Sequence, residues 1–213
     1  MTVLIINPNS THSMTDAMLA AAREAAPELQ FEGWTSRNGP PAIQGADDGD
    51  AATPPLLELV KEASDAKVQG IIIGCFDDTA LAQAAALASC PVVGLGQSAY
   101  HYAALRNWRF SVVTTLSVSV PVLKANIDAM GLGSYVSKVR ASDVPVLDLE
   151  TNPERSSALV VNEALEAQAN DDISAVILGC AGMVQVVESV ETALGIQTID
   201  PVACAARCMT WLV

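Results

Sequence analysis

The chain has 213 residues, 51% of them apolar but only 4% aromatic, so Ala, Val, Leu and Ile must fill its core. That composition favours packed α/β layers over an aromatic-rich β sandwich. With 11 Lys and Arg against 24 Asp and Glu, the net charge is −13, a field that repels nucleic-acid backbones and anionic membranes.

Residues 3–6 read as a short aliphatic strand, without the basic segment and long apolar run of a secretion signal. An Ala-rich helix over 15–26 is stopped by Pro27, and 29–34 can form a second strand. Residues 37–53 are rich in Gly, Pro and Asp and read as a long loop. A helix over 54–66 opens on its prolines. Residues 70–74 form a continuous apolar strand of the buried parallel kind, followed by a helix over 80–88 and a strand over 91–93. Residues 79–105 carry no Asp, Glu, Lys or Arg, but Pro91, Gly94, Gly96 and His101 interrupt them, so they read as buried helix, strand and helix rather than a membrane span.

The order then repeats. A strand over 110–114 precedes a helix over 120–130, a strand over 135–139 and a helix over 154–168. A buried strand over 175–179 leads to a helix over 183–194, a strand over 197–199 and a closing helix over 202–212. Gly70-Ile71-Ile72-Ile73-Gly74-Cys75 parallels Ala175-Val176-Ile177-Leu178-Gly179-Cys180 at a spacing of 105 residues, and Val3 and Phe110 stand 107 apart. The expectation is an α/β protein of two similar Rossmann-like lobes, each with a parallel sheet, related by pseudo-twofold symmetry. Residues 1–97 form the N-terminal lobe, which the closing helix within 201–213 can complete, and residues 98–200 the C-terminal lobe, with the active site in the cleft between them.

Ligands of parallel sheets bind beyond the carboxyl ends of the strands, where Cys75 and Cys180 both fall. A helix start just after each cysteine would bring N–H groups and a favourable dipole to the sulfur, lowering the thiol pKa toward neutrality. Two such thiols from facing lobes suit racemisation, in which a base removes a proton from one face of a carbon and an acid delivers one to the other. Buried packing cysteines and a redox disulfide are the readings weighed against this. The five cysteines, at 75, 90, 180, 204 and 208, form no C-x-x-C pair, and an odd number argues for reduced thiols in the cytoplasm. With only His12 and His101 available, no zinc constellation is visible and no metal is expected.

Ile6-Asn7-Pro8-Asn9-Ser10, Gly74-Cys75-Phe76-Asp77-Asp78 and Gly179-Cys180-Ala181-Gly182-Met183 together resemble the aspartate/glutamate/hydantoin racemase superfamily, in its hydantoin and allantoin racemase branch. The resemblance covers essentially the whole chain, with the three motifs in the expected order. It implies cofactor-independent inversion of C5 in a hydantoin-like ring, a small-molecule substrate, and a homo-oligomer. It makes Cys75 and Cys180 the catalytic thiols. Asn9 and the turn Thr114-Thr115 would hold polar ring atoms, and the N–H groups of Phe76, Asp77, Ala181 and Gly182 a carbonyl oxygen; Ser10, after the first strand, is a further candidate for ligand contact, or a cap of the next helix. Relatives often carry Gly then Asp after the Phe; here the pair is Asp77-Asp78, which places an additional carboxylate beside the first thiol. Arylmalonate decarboxylases keep only one of the two cysteines, and glutamate racemases typically carry Thr-His where this chain has Ala181-Gly182. An amino-acid racemase and a non-catalytic two-lobed binding protein are the alternatives.

Other features have plainer readings. Asn9 can cap the helix that follows, and Asp78 the helix after it. Gly94-Leu95-Gly96 matches a loose dinucleotide fingerprint but lacks the acidic residue expected about 20 positions on. His12, His101, Cys90, Cys204 and Cys208 read as surface or packing residues. The loop over 39–43 is expected to line the pocket.

Overall fold

A computed structural model describes residues 2–213. It contains two four-stranded parallel sheets of matching topology. In the first, β1 (Thr2–Asn7) lies between β2 (Gln30–Thr35) and β3 (Gly70–Ile73), with β4 (Val92–Gly94) outside β3. In the second, β5 (Phe110–Thr114) lies between β6 (Val136–Ala141) and β7 (Ala175–Gly179), with β8 (Gln197–Ile199) outside β7. The aliphatic runs form the two central strands of each sheet and are buried throughout, as strands covered on both faces must be. The register pairs Ile6 with Ile73 and Thr114 with Gly179, so both central pairs end level with one another.

Helices cover both faces of each sheet. On the outer face of the first lie α2 (Ala46–Asp65) and α3 (Leu81–Leu87). Between the sheets lie α1 (His12–Ala25), α4 (Leu95–Leu105) and, after the second half, α9 (Pro201–Leu212). Helix α5 (Val120–Ala129) follows β5, a single turn α6 (Asp148–Thr151) follows β6, and α7 (Pro153–Asn170) and α8 (Val187–Ala193) pack on the outer face of the second sheet. The lobes share one continuous apolar core. In it Tyr100 of α4 stacks on Phe110 of β5 at 5.9 Å and meets Phe76 edge-on at 5.4 Å. Helix α9 returns to the first lobe and packs on α1, α4 and β3; a Cβ on Gly70 would lie 2.9 Å from Met209 Sδ.

Two expectations are corrected. Residues 46–53 are not loop: α2 begins at Ala46, with Pro54 and Pro55 inside it. The start is set by Gly45 at φ 95°, by Asp47 and Asp48 in the first turn, and by Asp48 Oδ2, which accepts Gln44 N–H at 2.9 Å. The expected helix over 183–194 is a 3-10 turn (Ala181–Gln185) followed by the short α8.

Candidate active site

The carboxyl ends of β1, β3, β5 and β7 converge on one cleft between the lobes. Asn9, Cys75, Phe76, Asp77, Thr115, Cys180, Ala181 and Gly182 line it, together with Met14, Ile43, Ser119 and Val146. The repeat-equivalent cysteines therefore face one cavity from opposite lobes. The glycines before them are required by close packing: a Cβ on Gly74 would fall 2.9 Å from Met18 Cε, and one on Gly179 2.8 Å from Val112 Cγ1.

Each sulfur is met by local donors. Cys75 Sγ accepts the Thr79 hydroxyl at 3.4 Å. The N–H groups of Asp77 near Cys75, and of Gly182 and Met183 near Cys180, act in the same direction, Met183 N–H itself donating to Cys180 O at 3.1 Å. These donors favour thiolate, but burial outweighs them. Burial, reinforced by the Asp77 carboxylate, pushes the Cys75 thiol well above its ordinary range; burial pushes Cys180 up to about 12, again with Asp77 adding to the rise. The expected lowering toward neutrality is not met. No helix begins at Cys75: turns at residues 76–80 intervene, and α3 starts only at Leu81. At Cys180 the donors come from a 3-10 turn rather than a long helix.

Phe76, Asp77, Ala181 and Gly182, whose N–H groups are expected to hold a carbonyl oxygen, all border the cavity. Asn9 is held by its own side-chain oxygen, which accepts Thr11 N–H at 2.9 Å and Asn7 Nδ2 at 3.0 Å. Its amide NH2 meets only the thioether of Met14 at 3.4 Å, a weak acceptor, so this donor is left for a polar ring atom.

Ser10 and Thr114 do not line the cavity. Ser10 N–H donates to Pro40 O at 2.9 Å, holding the 36–45 loop. Thr114 Oγ1 donates to Gly179 O at 2.9 Å and ties β5 to β7. Asp78 points away from the cleft to the start of α4, where its carboxylate accepts Gly96 N–H at 3.0 Å and Gln97 N–H at 2.7 Å. The Gly-Leu-Gly turn thus cradles an internal carboxylate in the place a phosphate would take. Ile43 reaches the cavity, as expected of its loop. Nothing in the local sequence pattern marks Met14, Ser119 and Val146; only the fold, through α1, the turn before α5 and the segment after β6, brings them here. His12 and His101 lie on exposed faces of α1 and α4. Cys90, Cys204 and Cys208 lie outside the cleft. Among the described residues no cluster of His, Cys, Asp or Glu could hold a metal ion, and no helix is long and apolar enough to cross a membrane.

The family described as Asp/Glu/Hydantoin racemase matches residues 3–209. A hydantoin racemase of Rhizobium meliloti is 36% identical over 210 residues, covering 97% of this chain and 86% of the relative. Among solved structures, an allantoin racemase from Klebsiella pneumoniae superposes with a TM-score of 0.93 at 31% identity, over 99% of this chain and 86% of that one. An allantoin racemase from Pseudomonas fluorescens gives the same TM-score, 0.93, at 28% identity, over 99% of this chain and 89% of that one.

Proposed function

The chain belongs to the Asp/Glu/Hydantoin racemase family, and on that premise we propose that it inverts C5 of a 5-substituted hydantoin or of allantoin, without a cofactor, using Cys75 and Cys180 as opposing base and acid. The observation that carries this is the pair of repeat-equivalent thiols on opposite walls of one cavity.

The chemistry follows from the groups present. One sulfur, as thiolate, takes the C5 proton and becomes a thiol; the other, as thiol, gives its proton to the opposite face and becomes the thiolate. The C5 electron pair is delocalised meanwhile into the adjacent ring carbonyl as an enolate. The N–H groups of Phe76, Asp77, Ala181 and Gly182 at the cavity wall stabilise that oxygen as charge develops on it. The roles are then exchanged, and the product enantiomer is the substrate of the reverse cycle. Raised thiol pKa values make each sulfur a strong base once ionised, and the Thr79 hydroxyl at Cys75 and the backbone N–H groups near each sulfur oppose that rise. The lining contains no Lys or Arg, so it favours a neutral ring over the charged carboxylates of aspartate or glutamate. Five free cysteines fit a reduced, cytoplasmic enzyme, and the family resemblance suggests an assembly of identical copies.

Cys75→Ser and Cys180→Ser should each lower racemisation by about a hundredfold or more. NMR in deuterated solvent should still detect exchange at C5 without inversion, by the remaining thiol. Full racemase activity by polarimetry in either single variant overturns the two-thiol reading.

A further inference from the structure

Two-thiol inversion leaves one group in the cleft without a task. Asp77 lines the cavity, and its Oδ2 is shielded from solvent with no hydrogen-bond partner among the described residues. No Arg, Lys or His pairs with it. Its main chain is held from α5, where Asn126 Nδ2 donates to Asp77 O at 2.8 Å. The carboxylate is therefore held beside the cavity. It lines the same cavity as both thiols and so borders the carbon they address. Burial raises Asp77 itself to about 7, the mark of an anion lacking a donor.

An ionised carboxylate only accepts hydrogen bonds, so what this site lacks is a pair of N–H or O–H donors. No donor of the cleft reaches Asp77 Oδ2 among the described residues, so a substrate that brings N–H or O–H donors would complete the site. A ureido substituent offers two parallel N–H bonds, which match the two oxygens of a carboxylate. An alkyl or aryl substituent offers none and would leave the anion desolvated and unpaired.

We propose that the Asp77 carboxylate selects the C5 substituent, accepting N–H bonds from a ureido group and so favouring allantoin over 5-alkyl and 5-aryl hydantoins. The proposal rests on the racemase reading above and adds to it the identity of the ring's side arm.

The test compares kcat/KM of the wild type, D77N and D77A on allantoin, 5-isopropylhydantoin and 5-benzylhydantoin. The wild type should prefer allantoin by about a hundredfold, since a site built to bond donors rejects an analogue that lacks them. Asp77→Ala should lower the allantoin value by about tenfold to a hundredfold and raise the other two. D77N, equal in size but carrying an NH2 toward the donors, should also lose allantoin. A wild type that shows no preference for allantoin overturns the proposal even if neither variant folds. So does an equal loss on all three substrates, which would make Asp77 a partner of the ring or of the proton transfer. A folded wild type that racemises none of the three would instead sink the racemase reading.

Discussion

Thr79 Oγ1 donates to Cys75 Sγ, and among the described residues it is the one side-chain hydroxyl bonded to either thiol of the cleft. Its bond stabilises thiolate over thiol, so losing it raises the Cys75 pKa further. Thr79→Val keeps the shape and removes the donor. Because the two enantiomers of a single stereocentre are equally stable, kcat/KM must fall equally in both directions, by about tenfold for one bond to a charged atom. The alkaline rise of the rate should move to higher pH. An unchanged pH profile would show that the hydroxyl does not act on the sulfur's charge. That both cysteines face one cleft was legible at this scale, because strand, Gly and Cys recur in the same order. The direction of their pKa was not. Local sequence suggested donors and a dipole, whereas the dominant effect, burial, arises only when two lobes far apart in the chain close over the sulfurs.

At the scale of the element, the segment from β3 to α4 shows how a motif can be visible and its meaning hidden. Gly94-Leu95-Gly96 does open a helix, as its resemblance to a phosphate-binding turn suggests. But the anion it holds is Asp78, from the turn after Cys75. This bond joins the turn after Cys75 to α4, and a Cβ on Gly94 would sit 2.0 Å from Asp78 Oδ1. Gly94→Ala should therefore cost about 1–3 kcal/mol in urea unfolding, as overpacking typically does, and lower racemisation because the displaced Asp78 drags Asp77 and Cys75 with it. A stability change within about 0.5 kcal/mol would show that the turn adjusts without strain. Burial lifts Asp78 to about 8, although its two N–H bonds favour the anion. Helix α2 is the converse case. Pro54-Pro55 reads as a beginning, because proline is favoured in a first turn. The true start lies eight residues earlier, where Gly45 and Asp48 form the cap.

The repeat made the whole molecule legible: two parallel sheets, their shared polarity and a site between them all follow from copying one strand order twice. What the repeat could not reveal is the set of contacts between copies, which repeat symmetry does not dictate. Val146 N–H donates to Gln44 Oε1 at 2.9 Å across the mouth of the cleft, and Ser13 Oγ donates to Glu150 Oε2 at 2.7 Å beside it. Below them Met14, Ala42 and Val146 pack together against Cys180. The cavity so enclosed is about 30 Å³, room for roughly two waters and far too small for a five-membered ring. Binding therefore requires the 36–45 loop and the segment after β6 to part, and closing again desolvates the thiols. Gln44→Ala removes one clasp worth about 1 kcal/mol, which should shift the opening equilibrium about fivefold. Limited proteolysis within residues 36–45 should accelerate by that factor, since cleavage follows the open population when reclosing is fast. KM should rise in step, because the closed complex loses the same bond. Cleavage at the wild-type rate, with KM unchanged, would mean that apolar packing alone holds the mouth shut.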